Sequence, residues 1–145
     1  MREVVRSALM PCTAQQMFDV VNDVEQYPKF LPWCVSTEVL ESTPDLMVGR
    51  LVLAKGGIRQ SFSTRNTLHA PTRIDISLVE GPFSTLEGSW NFKPLGEDGC
   101  KVDMTLRFDF DSRVMNATLG KVFNSAADRL VDAFCERADV LYERS

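Results

Sequence analysis

Histidine and cysteine, the usual ligands of zinc, are scarce in this sequence of 145 residues. It has one histidine, His69, and four cysteines that lie far apart and form no C-x-x-C pair. A zinc site needs three or four clustered nitrogen, sulfur or carboxylate ligands, so no metal centre is expected. The cysteines are instead expected to be reduced, half-buried small side chains. They are Cys12, Cys34, Cys100 and Cys135.

Long apolar runs are also absent. No stretch approaches the roughly 20 apolar residues that a membrane helix requires. The beginning of the chain, MREVVRSALMPC, lacks the apolar centre of a signal peptide. With 44% hydrophobic and 25% charged residues, the composition predicts one soluble globular domain over residues 1–145, and the cytoplasm is the expected location.

Acidic residues are missing between Leu46 and Ile74, although the whole chain carries a net charge of −4. The net charge argues against a general DNA or RNA binder. The acid-free segment carries +5 and the remainder therefore −9. Two interpretations stay open, a solvated strand face and a basic surface for an anionic partner. The five cations are Arg50, Lys55, Arg59, Arg65 and Arg73.

Catalytic signatures are missing as well. The stretch LAKGGIRQ has neither the spacing nor the following helix of a phosphate-binding loop. His69 with Asp75 or Ser63 does not make a credible nucleophilic set, because His69 is expected to point outward from its strand. No acid–base pair can be identified either. We therefore expect a binding protein rather than an enzyme.

Apolar and polar residues alternate with a period of two from Ser36 to Asp111. This pattern predicts about six antiparallel strands with one buried face. CKVDMTLRFDF and LEGSWNF are the clearest runs, and REVVRSALM near the beginning adds a further strand. Gly56 and Gly57 are typical of a two-residue hairpin turn. The pairs that this turn predicts are Leu51 with Phe62, Gly49 with Thr64, and Met47 with Asn66.

Helical periodicity flanks the strands. Thr13 is a plausible N-cap for a helix over TAQQMFDVVNDV. That helix should end before VEQYPKFLPWC, because Pro28 and Pro32 disfavour helical conformations at the residues before them, so the stretch is expected to be irregular. From Ser112 onward a 3.6-residue period predicts one long terminal helix, in which Gly120 produces a kink or allows another element to approach closely.

These elements predict an α+β architecture in which a curved antiparallel sheet of six to seven strands wraps around the long terminal helix, with short helices after the first strand. One helix cannot fill a strongly curved sheet, so a space should remain between them. Gly49 and Gly88 on the inward face would enlarge it. Thr64 and Asn66 also face inward, where a ligand, water or a β-bulge that reverses the strand face would have to satisfy them.

Four stretches carry a resemblance to a known family: DVEQYPKFLPWC, GPFSTLEGSWNFKPL, RNTL and ADVLYE. They resemble the coenzyme Q-binding and polyketide-cyclase-like branch of the START, or Bet v 1-like, helix-grip superfamily, over nearly the whole chain. The resemblance implies a hydrophobic tunnel that holds ubiquinone or a related polyprenyl lipid in support of respiratory quinone function. The branch is also similar to bacterial ribosome association toxins, which implies an alternative function: binding the large ribosomal subunit and blocking 70S formation.

The resemblance and the strand and helix periods together name a candidate site. No catalytic residue, metal or required cofactor belongs to it, and the expected partners are a quinone or lipid, with transient contact to the inner face of the membrane, or the large ribosomal subunit, but no DNA. Each aromatic could instead simply fill the core, and the stretch around Trp33 could be a plug at its end. The candidate ligand-binding residues are Tyr27, Phe30, Leu31, Trp33, Phe62, Thr64, Asn66, Phe83, Trp90, Met104, Phe108, Phe123 and Phe134; Arg59 and Arg65 are the candidate ribosome contacts.

Overall fold

Seven antiparallel strands form one sheet in the computed structural model, which describes residues 2–31, 33–55 and 57–142. The strand order is β1-β7-β6-β5-β4-β3-β2, so the first and last strands are neighbours and β1 and β2 are the sheet edges. The predicted α+β architecture is confirmed. The strands are β1 (Arg2–Met10), β2 (Cys34–Thr43), β3 (Leu46–Lys55), β4 (Ile58–His69), β5 (Arg73–Glu80), β6 (Phe83–Leu95) and β7 (Gly99–Phe110).

The first helix, α1 (Ala14–Asn22), begins where the sequence predicts. The side chain of Thr13 accepts a hydrogen bond from the backbone N–H of Gln16 at 3.1 Å, and Oε1 of Gln16 accepts one from the backbone N–H of Thr13 at 2.9 Å. This reciprocal capping box satisfies two N–H groups that have no partner within the helix. The apolar side of α1, which includes Met17 and Phe18, packs on β6, β7 and the C-terminal helical segment Leu130–Tyr142.

The stretch after α1 is more ordered than predicted. Val24–Gln26 form a 3₁₀ turn and α2 (Tyr27–Phe30) is a short helix, so the expected irregular loop is wrong for these residues. Tyr27 is helical, with φ −51° and ψ −43°, although a proline follows it. Pro28 lies in the first turn of α2, where a missing N–H costs nothing. Pro32 lies outside the described residues.

The hairpin between β3 and β4 follows the predicted register. Lys55 pairs with Ile58, and Gly57 has a φ of +81°, which favours glycine. Gly56, the other residue of the predicted turn, is outside the described residues. The predicted pairs are all present: Leu51 with Phe62, Gly49 with Thr64, and Met47 with Asn66.

A register shift between β4 and β5 tests the alternative that a bulge turns the polar residues of β4 outward. Ser63 pairs with Glu80 and Thr64 with Leu78, so the extra residue, Val79, lies in β5. The alternation of β4 is therefore not reversed by this bulge, and Thr64 is 7% exposed on the inner side.

The predicted long C-terminal helix is present as two segments, α3 (Arg113–Asp128) and α4 (Leu130–Tyr142), separated at Arg129. The guanidinium group of Arg6 in β1 donates to the backbone carbonyl of Asp128, at the end of α3. It also contacts the carboxylates of Asp128 at 3.4 Å and Asp132 at 2.9 Å. Arg6 thus links the interruption of the helix to the sheet edge, and cations near helix C-termini are favourable.

Two glycines have roles that the sequence left open or misjudged. A Cβ on Gly120 would lie 2.7 Å from Nη2 of Arg2, so this glycine allows a close approach, and the interruption of the helix lies at Arg129 instead. A Cβ on Gly88 would lie 2.4 Å from the carbonyl oxygen of Thr105 and would also meet Leu106. Neighbouring β7 fills the space beside Gly88, so Gly88 does not enlarge the interior space.

The helices cover the sheet unevenly. α3 packs on β1 and β7, α4 packs on β1 and α1, and α1 packs on β6 and β7. The helices therefore contact mainly β1, β6 and β7, and the interior remains open over the inner face of β3 to β5. None of the helices in the described part of the chain is long and apolar enough to cross a membrane.

Candidate functional site

An apolar cavity lies between the C-terminal helices and strands β3 to β7. The cavity has a volume of about 100 Å³. An apolar cavity of about 150 Å³ binds benzene, so this space is slightly small for one ring and far too small for a whole polyprenyl chain. The lining residues are Val21, Val24, Tyr27, Leu31, Trp33, Gly49, Leu51, Leu53, Phe62, Thr64, Asn66, Ile76, Leu86, Trp90, Leu106, Phe123, Ala126, Ala127, Leu130 and Phe134.

Most of the candidate ligand-binding residues border this cavity. The stretch from Tyr27 to Trp33, the inner face of β4, and both C-terminal helices all contribute to its wall. Their role in holding a ligand stays a prediction. The candidates on the wall are Tyr27, Leu31, Trp33, Phe62, Thr64, Asn66, Trp90, Phe123 and Phe134.

Four candidates lie elsewhere. Met104 and Phe108 face inward as predicted but are 1% and 0% exposed and do not border the cavity, whereas Leu106 between them does. The ring of Phe123 in α3 covers Phe108, with the ring centroids 4.7 Å apart. Phe83 borders only the second, smaller cavity. Phe30 is half-buried on the outside, where it lines a surface groove and packs against the rings of Tyr27 and Phe134.

Several wall residues were not predicted. Ala126 and Ala127 lie at the end of α3, where their small side chains leave room for the cavity, and Leu130 follows the interruption. Two adjacent alanines in an apolar helical stripe are the signal that could have indicated this. Val24 closes the cavity over Gly49, since a Cβ on Gly49 would lie 3.3 Å from Cγ1 of Val24.

Tyr27 contributes an apolar ring rather than a hydroxyl. Its hydroxyl group donates to the backbone carbonyl of Val21 in the last turn of α1, and burial raises the pKa of Tyr27. The ring lies edge-on to the rings of Phe134 and Phe30, with centroids 5.2 Å and 6.0 Å away. The hydrogen-bonding capacity of Tyr27 is therefore used to fix the short helix α2 against α1.

Trp33 is the partition between the interior and the surface. It borders the main cavity, the second cavity and the external groove beside Phe30 and Arg129. Its carbonyl accepts a hydrogen bond of 2.9 Å from the backbone N–H of Ala54, which anchors the residue to β3. The indole ring therefore forms part of the boundary between the cavity and the groove.

Thr64 and Asn66 are the polar side chains of the cavity wall. Both extend from the inner face of β4, and Thr64 is 7% exposed. The side-chain oxygen Oδ1 of Asn66 is buried and has no hydrogen-bond partner among the described residues. A buried acceptor without a partner costs about 1–3 kcal/mol. Thr64 and Asn66 are the two polar side chains with which the wall of this cavity could orient a ligand.

A second, smaller cavity adjoins the first. Its volume is about 40 Å³, and its lining residues are apolar apart from Gln60. The rings of Phe62 and Phe123 border both cavities and lie edge-to-face, with their centroids 5.9 Å apart. These two rings therefore form part of the boundary between the two spaces.

On the opposite face of the sheet, β4 presents two exposed arginines, Arg59 and Arg65. Neither forms an ion pair within residues 2–31, 33–55 and 57–142. By contrast, Arg50 pairs with Glu38 at 3.2 Å and Arg73 pairs with Asp75 at 2.8 Å. Among these four cations of the acid-free segment, Arg59 and Arg65 are thus the two that remain available to an external anion.

The cysteines have the properties of packed, unreactive side chains. Burial raises the pKa of both Cys12 and Cys34 to about 11, so their thiols stay protonated at neutral pH. Within the described residues, no three His, Cys, Asp or Glu side chains come together as a metal site.

Fold and cavity together define the class of protein. A curved antiparallel sheet that holds an apolar cavity against C-terminal helices is the helix-grip, START-like fold of lipid-binding proteins. The family model described as "Polyketide cyclase / dehydrase and lipid transport" matches residues 10–135, and the chain belongs to this family.

Two relatives differ in what their names describe. The ribosome association toxin RatA of Pseudomonas aeruginosa is 49% identical over 139 residues, which cover 96% of each chain. The mitochondrial coenzyme Q-binding protein COQ10 homolog B of Xenopus laevis is 25% identical, over 98% of this chain and 60% of that protein. Similarity to the toxin is therefore much greater than similarity to the coenzyme Q-binding protein.

Among solved structures, the Zhui aromatase/cyclase from a Streptomyces species is similar to this chain with a TM-score of 0.84. The superposition covers 95% of this chain and 93% of the cyclase, at 19% sequence identity. At that identity the likeness concerns the fold alone.

Proposed function

We propose that this protein is a ribosome association toxin of the RatA type, which binds the large ribosomal subunit in the cytoplasm and blocks formation of 70S particles. The observation that carries the proposal is the 49% identity to RatA over 96% of both chains. Arg59 and Arg65 support it independently, since they are exposed and have no ion-pair partner in the described part of the chain, and ribosomal RNA presents a surface of phosphates.

The surroundings of these arginines favour an external anion. The cross-strand neighbour of Arg59 is Ala54, and those of Arg65 are Val48 and Ser77. None of these three residues carries a charge, so no directly opposite side chain neutralises either guanidinium group. Arginine is also suited to phosphate, because its planar group donates two parallel hydrogen bonds.

The spacing along β4 suits more than one phosphate. Arg59 and Arg65 are six residues apart on one face of the strand, which corresponds to about 20 Å. That distance spans several nucleotides, so each arginine would contact a separate phosphate. Removal of two phosphate contacts should lower the slope of log Kobs against log salt by roughly 1.5.

The test is a sucrose-gradient profile of 70S particles incubated with purified protein. We expect the wild-type protein to shift particles into subunits, and Arg59→Glu/Arg65→Glu protein to lose this effect. Binding of the separated large subunit at several salt concentrations then gives the slope for Arg59→Gln/Arg65→Gln protein.

The matched control is Lys93→Glu/Lys121→Glu, which reverses two exposed lysines outside the acid-free segment. Each reversal removes two charge units, so both double variants change the net charge from −4 to −8. If the control loses activity equally, the net charge matters rather than this face. If the arginine variant dissociates 70S particles as well as the wild type, β4 is not the contact.

As a second candidate function, we propose that the cavity binds the head ring of an isoprenoid lipid such as ubiquinone, while the polyprenyl chain, which the cavity is too small to hold, lies outside it. The apolar wall with two polar groups supports it, since ligand pockets are mostly apolar with a few orienting polar groups. The name of the coenzyme Q-binding relative points in the same direction. Because the wall offers Thr64 and Asn66 but no charged acid or base, we propose binding without catalysis.

Lipid extraction from protein made in its own host, followed by mass spectrometry, tests this second candidate. We expect quinone or another isoprenoid in about stoichiometric amount with the wild type and much less with Trp33→Ala, which removes the partition to the groove. Val140→Ala, an exposed change on α4, serves as the control. Equal lipid in Trp33→Ala and wild-type protein would contradict the proposed site.

A further inference from the structure

The outer face of β4, which carries Arg59 and Arg65, has no aromatic side chain in the described part of the chain. The protein has nine phenylalanines, two tryptophans and two tyrosines, and ten of these thirteen rings are buried. The other three, Phe30, Phe123 and Tyr142, are half-buried and belong to helices. Proteins that hold single-stranded RNA usually stack its bases on exposed aromatic rings. This face therefore does not offer the platform that unpaired bases require.

The interval between the two arginines carries hydroxyl groups and a carboxylate. Ser61 and Ser63 occupy the two outward positions between Arg59 and Arg65, and Ser61 is exposed whereas Ser63 is 2% exposed. On β5, the cross-strand neighbour of Ser63 is Glu80, which is exposed. Two cationic ends are thus separated by a polar centre with an acidic side chain beside it.

This centre is unfavourable for a continuous row of phosphates. Arg50 lies opposite Ser63 on β3, but its guanidinium group is paired with Glu38 at 3.2 Å. Glu80, on the other side, would repel a phosphate. A single strand that followed β4 would place phosphates over this centre as well as over both arginines, so the charge pattern disfavours it.

Double-stranded RNA presents a pattern that matches. The wide, shallow minor groove of an A-form helix separates two rows of phosphates and displays 2′-hydroxyl groups between them. Arg59 and Arg65 are about 20 Å apart along the strand, so each can reach a different row. A 2′-hydroxyl group can donate to the carboxylate of Glu80, and it can donate to or accept from the hydroxyl of Ser61.

We propose that the outer face of β4 binds double-stranded RNA across its minor groove, with Arg59 and Arg65 on the two phosphate rows and Ser61 and Glu80 over the 2′-hydroxyl groups between them. The inference rests on the proposed association with the large ribosomal subunit. It names the partner within that subunit as a helix of ribosomal RNA, rather than a single-stranded loop or a ribosomal protein. It is independent of the cavity.

The first experiment is directed hydroxyl-radical cleavage of large subunits by protein that carries an iron–EDTA group on an introduced cysteine. Thr67→Cys places the group on the same exposed face, one outward position beyond Arg65. The four native cysteines should take up little label, because burial raises the pKa of each thiol, and labelled wild-type protein gives the background. We expect cuts in both strands of one ribosomal RNA helix.

The matched control for position is Val140→Cys, on the exposed side of α4 and 71% exposed. It carries the same group on a different element of the protein, so we expect it not to cut the helix that Thr67→Cys cuts. Sedimentation with large subunits establishes that both labelled proteins bind before their cleavage patterns are compared.

The second experiment measures competition for binding to the large subunit at low salt. The competitors are an RNA duplex of about 16 base pairs, a single-stranded RNA of the same sequence, and the corresponding DNA duplex. We expect the RNA duplex to compete at about tenfold lower concentration than either of the others. Ser61→Ala should reduce the difference between the RNA and DNA duplexes, whereas Ser42→Ala, at an exposed position on β2, should leave it unchanged.

The possible failures are distinguishable. If the wild-type protein does not bind large subunits, the proposed function is wrong and this inference falls with it. If the protein binds but Thr67→Cys cuts only single-stranded loops, the RNA contact is of the other kind and the inference is overturned. If bound Thr67→Cys protein cuts no RNA, the face contacts a ribosomal protein, which also overturns it. An RNA duplex that competes no better than the single strand contradicts it as well.

Discussion

Phe134→Ala should be the most informative single change, because Phe134 both stabilises the fold and forms one wall of the cavity. The side chain is 2% exposed. Its ring lies edge-on to the rings of Tyr27, Phe30 and Trp90, with centroids 5.2 Å, 5.4 Å and 5.3 Å away. It therefore joins the short helix α2 and strand β6 to helix α4.

The expected loss of stability follows from the area that leaves the core. Truncation to alanine removes roughly 150 Å² of buried apolar surface, which at about 25 cal/mol per Å² amounts to about 4 kcal/mol. This agrees with the range of about 3–5 kcal/mol for buried Phe→Ala changes. For a chain of this length the melting temperature should fall by roughly 8–16 °C.

Urea denaturation followed by circular dichroism measures the free energy of unfolding. Val140→Ala on the same helix is the control, because Val140 is 71% exposed and its truncation should change stability by less than about 0.5 kcal/mol. A loss below about 1 kcal/mol for Phe134→Ala would refute the packing described above. Benzene should raise the melting temperature of Phe134→Ala more than that of the wild type, because the vacated space joins the cavity.

Three further changes test local features. Thr13→Ala should lower the free energy of unfolding by about 1 kcal/mol in urea titrations, because it removes the capping box with Gln16. Arg6→Met should lower it by about 1 kcal/mol, since the contacts to Asp128 and Asp132 are largely exposed and each is worth little. Stability measured against pH should be constant with respect to Cys34 below about 9 and fall as pH rises toward 11, because burial raises its pKa from 9.0 to about 11 and the folded state holds the proton more tightly.

Each of these three has its own control. Gln15→Ala, on the same helix, should leave stability within about 0.5 kcal/mol of the wild type, and an equal loss would exclude the capping box as the cause of the Thr13 effect. Hydrogen exchange should speed up around Arg129 in Arg6→Met; unchanged exchange there would contradict the role of Arg6 at the interruption. Cys34→Ala should flatten the alkaline decline, and an identical pH profile would show that another group is responsible.

The strand register was predictable because it depends on local patterns. The turn at Gly56 and Gly57 determines which residues of β3 and β4 face each other, and alternation then places Thr64 and Asn66 on the buried face. The same logic places Met104 on the inner face. It does not reveal where along that face the helices rest, and so it could not indicate that Leu106 borders the cavity while Met104, on the same face, does not.

The interruption of the C-terminal helix had no local signal. Arg129 lies between Asp128 and Leu130, without a glycine or proline nearby. Arginine and leucine favour helices, and the lower helix propensity of a single aspartate does not by itself end one. What distinguishes the position is Arg6, which is more than 120 residues away in the sequence and reaches the Asp128 carbonyl. A contact between such distant residues cannot be read from a periodicity.

The helix at Tyr27 shows that a local signal can be present in the sequence and still be outweighed by contacts elsewhere in the fold. The tendency of a residue before proline to avoid helical conformations is a preference, and the contacts of the Tyr27 ring and hydroxyl with α1 and α4 outweigh it. The unpartnered acceptor on Asn66 also needed the structure. The sequence indicates that this side chain faces inward but does not indicate which of its atoms finds a partner.

The position of β1 has a consequence for folding during synthesis on the ribosome. Within the sheet β1 pairs with β7 alone, and Arg2 lies opposite Phe108. During synthesis β1 therefore has no partner strand until about a hundred more residues have been made. The apolar face of the sheet is covered later still, by α3 and α4. Contacts between such distant parts of a chain form slowly. A nascent chain therefore cannot complete the sheet before β7 has been made, nor cover its apolar face before α3 and α4 have followed.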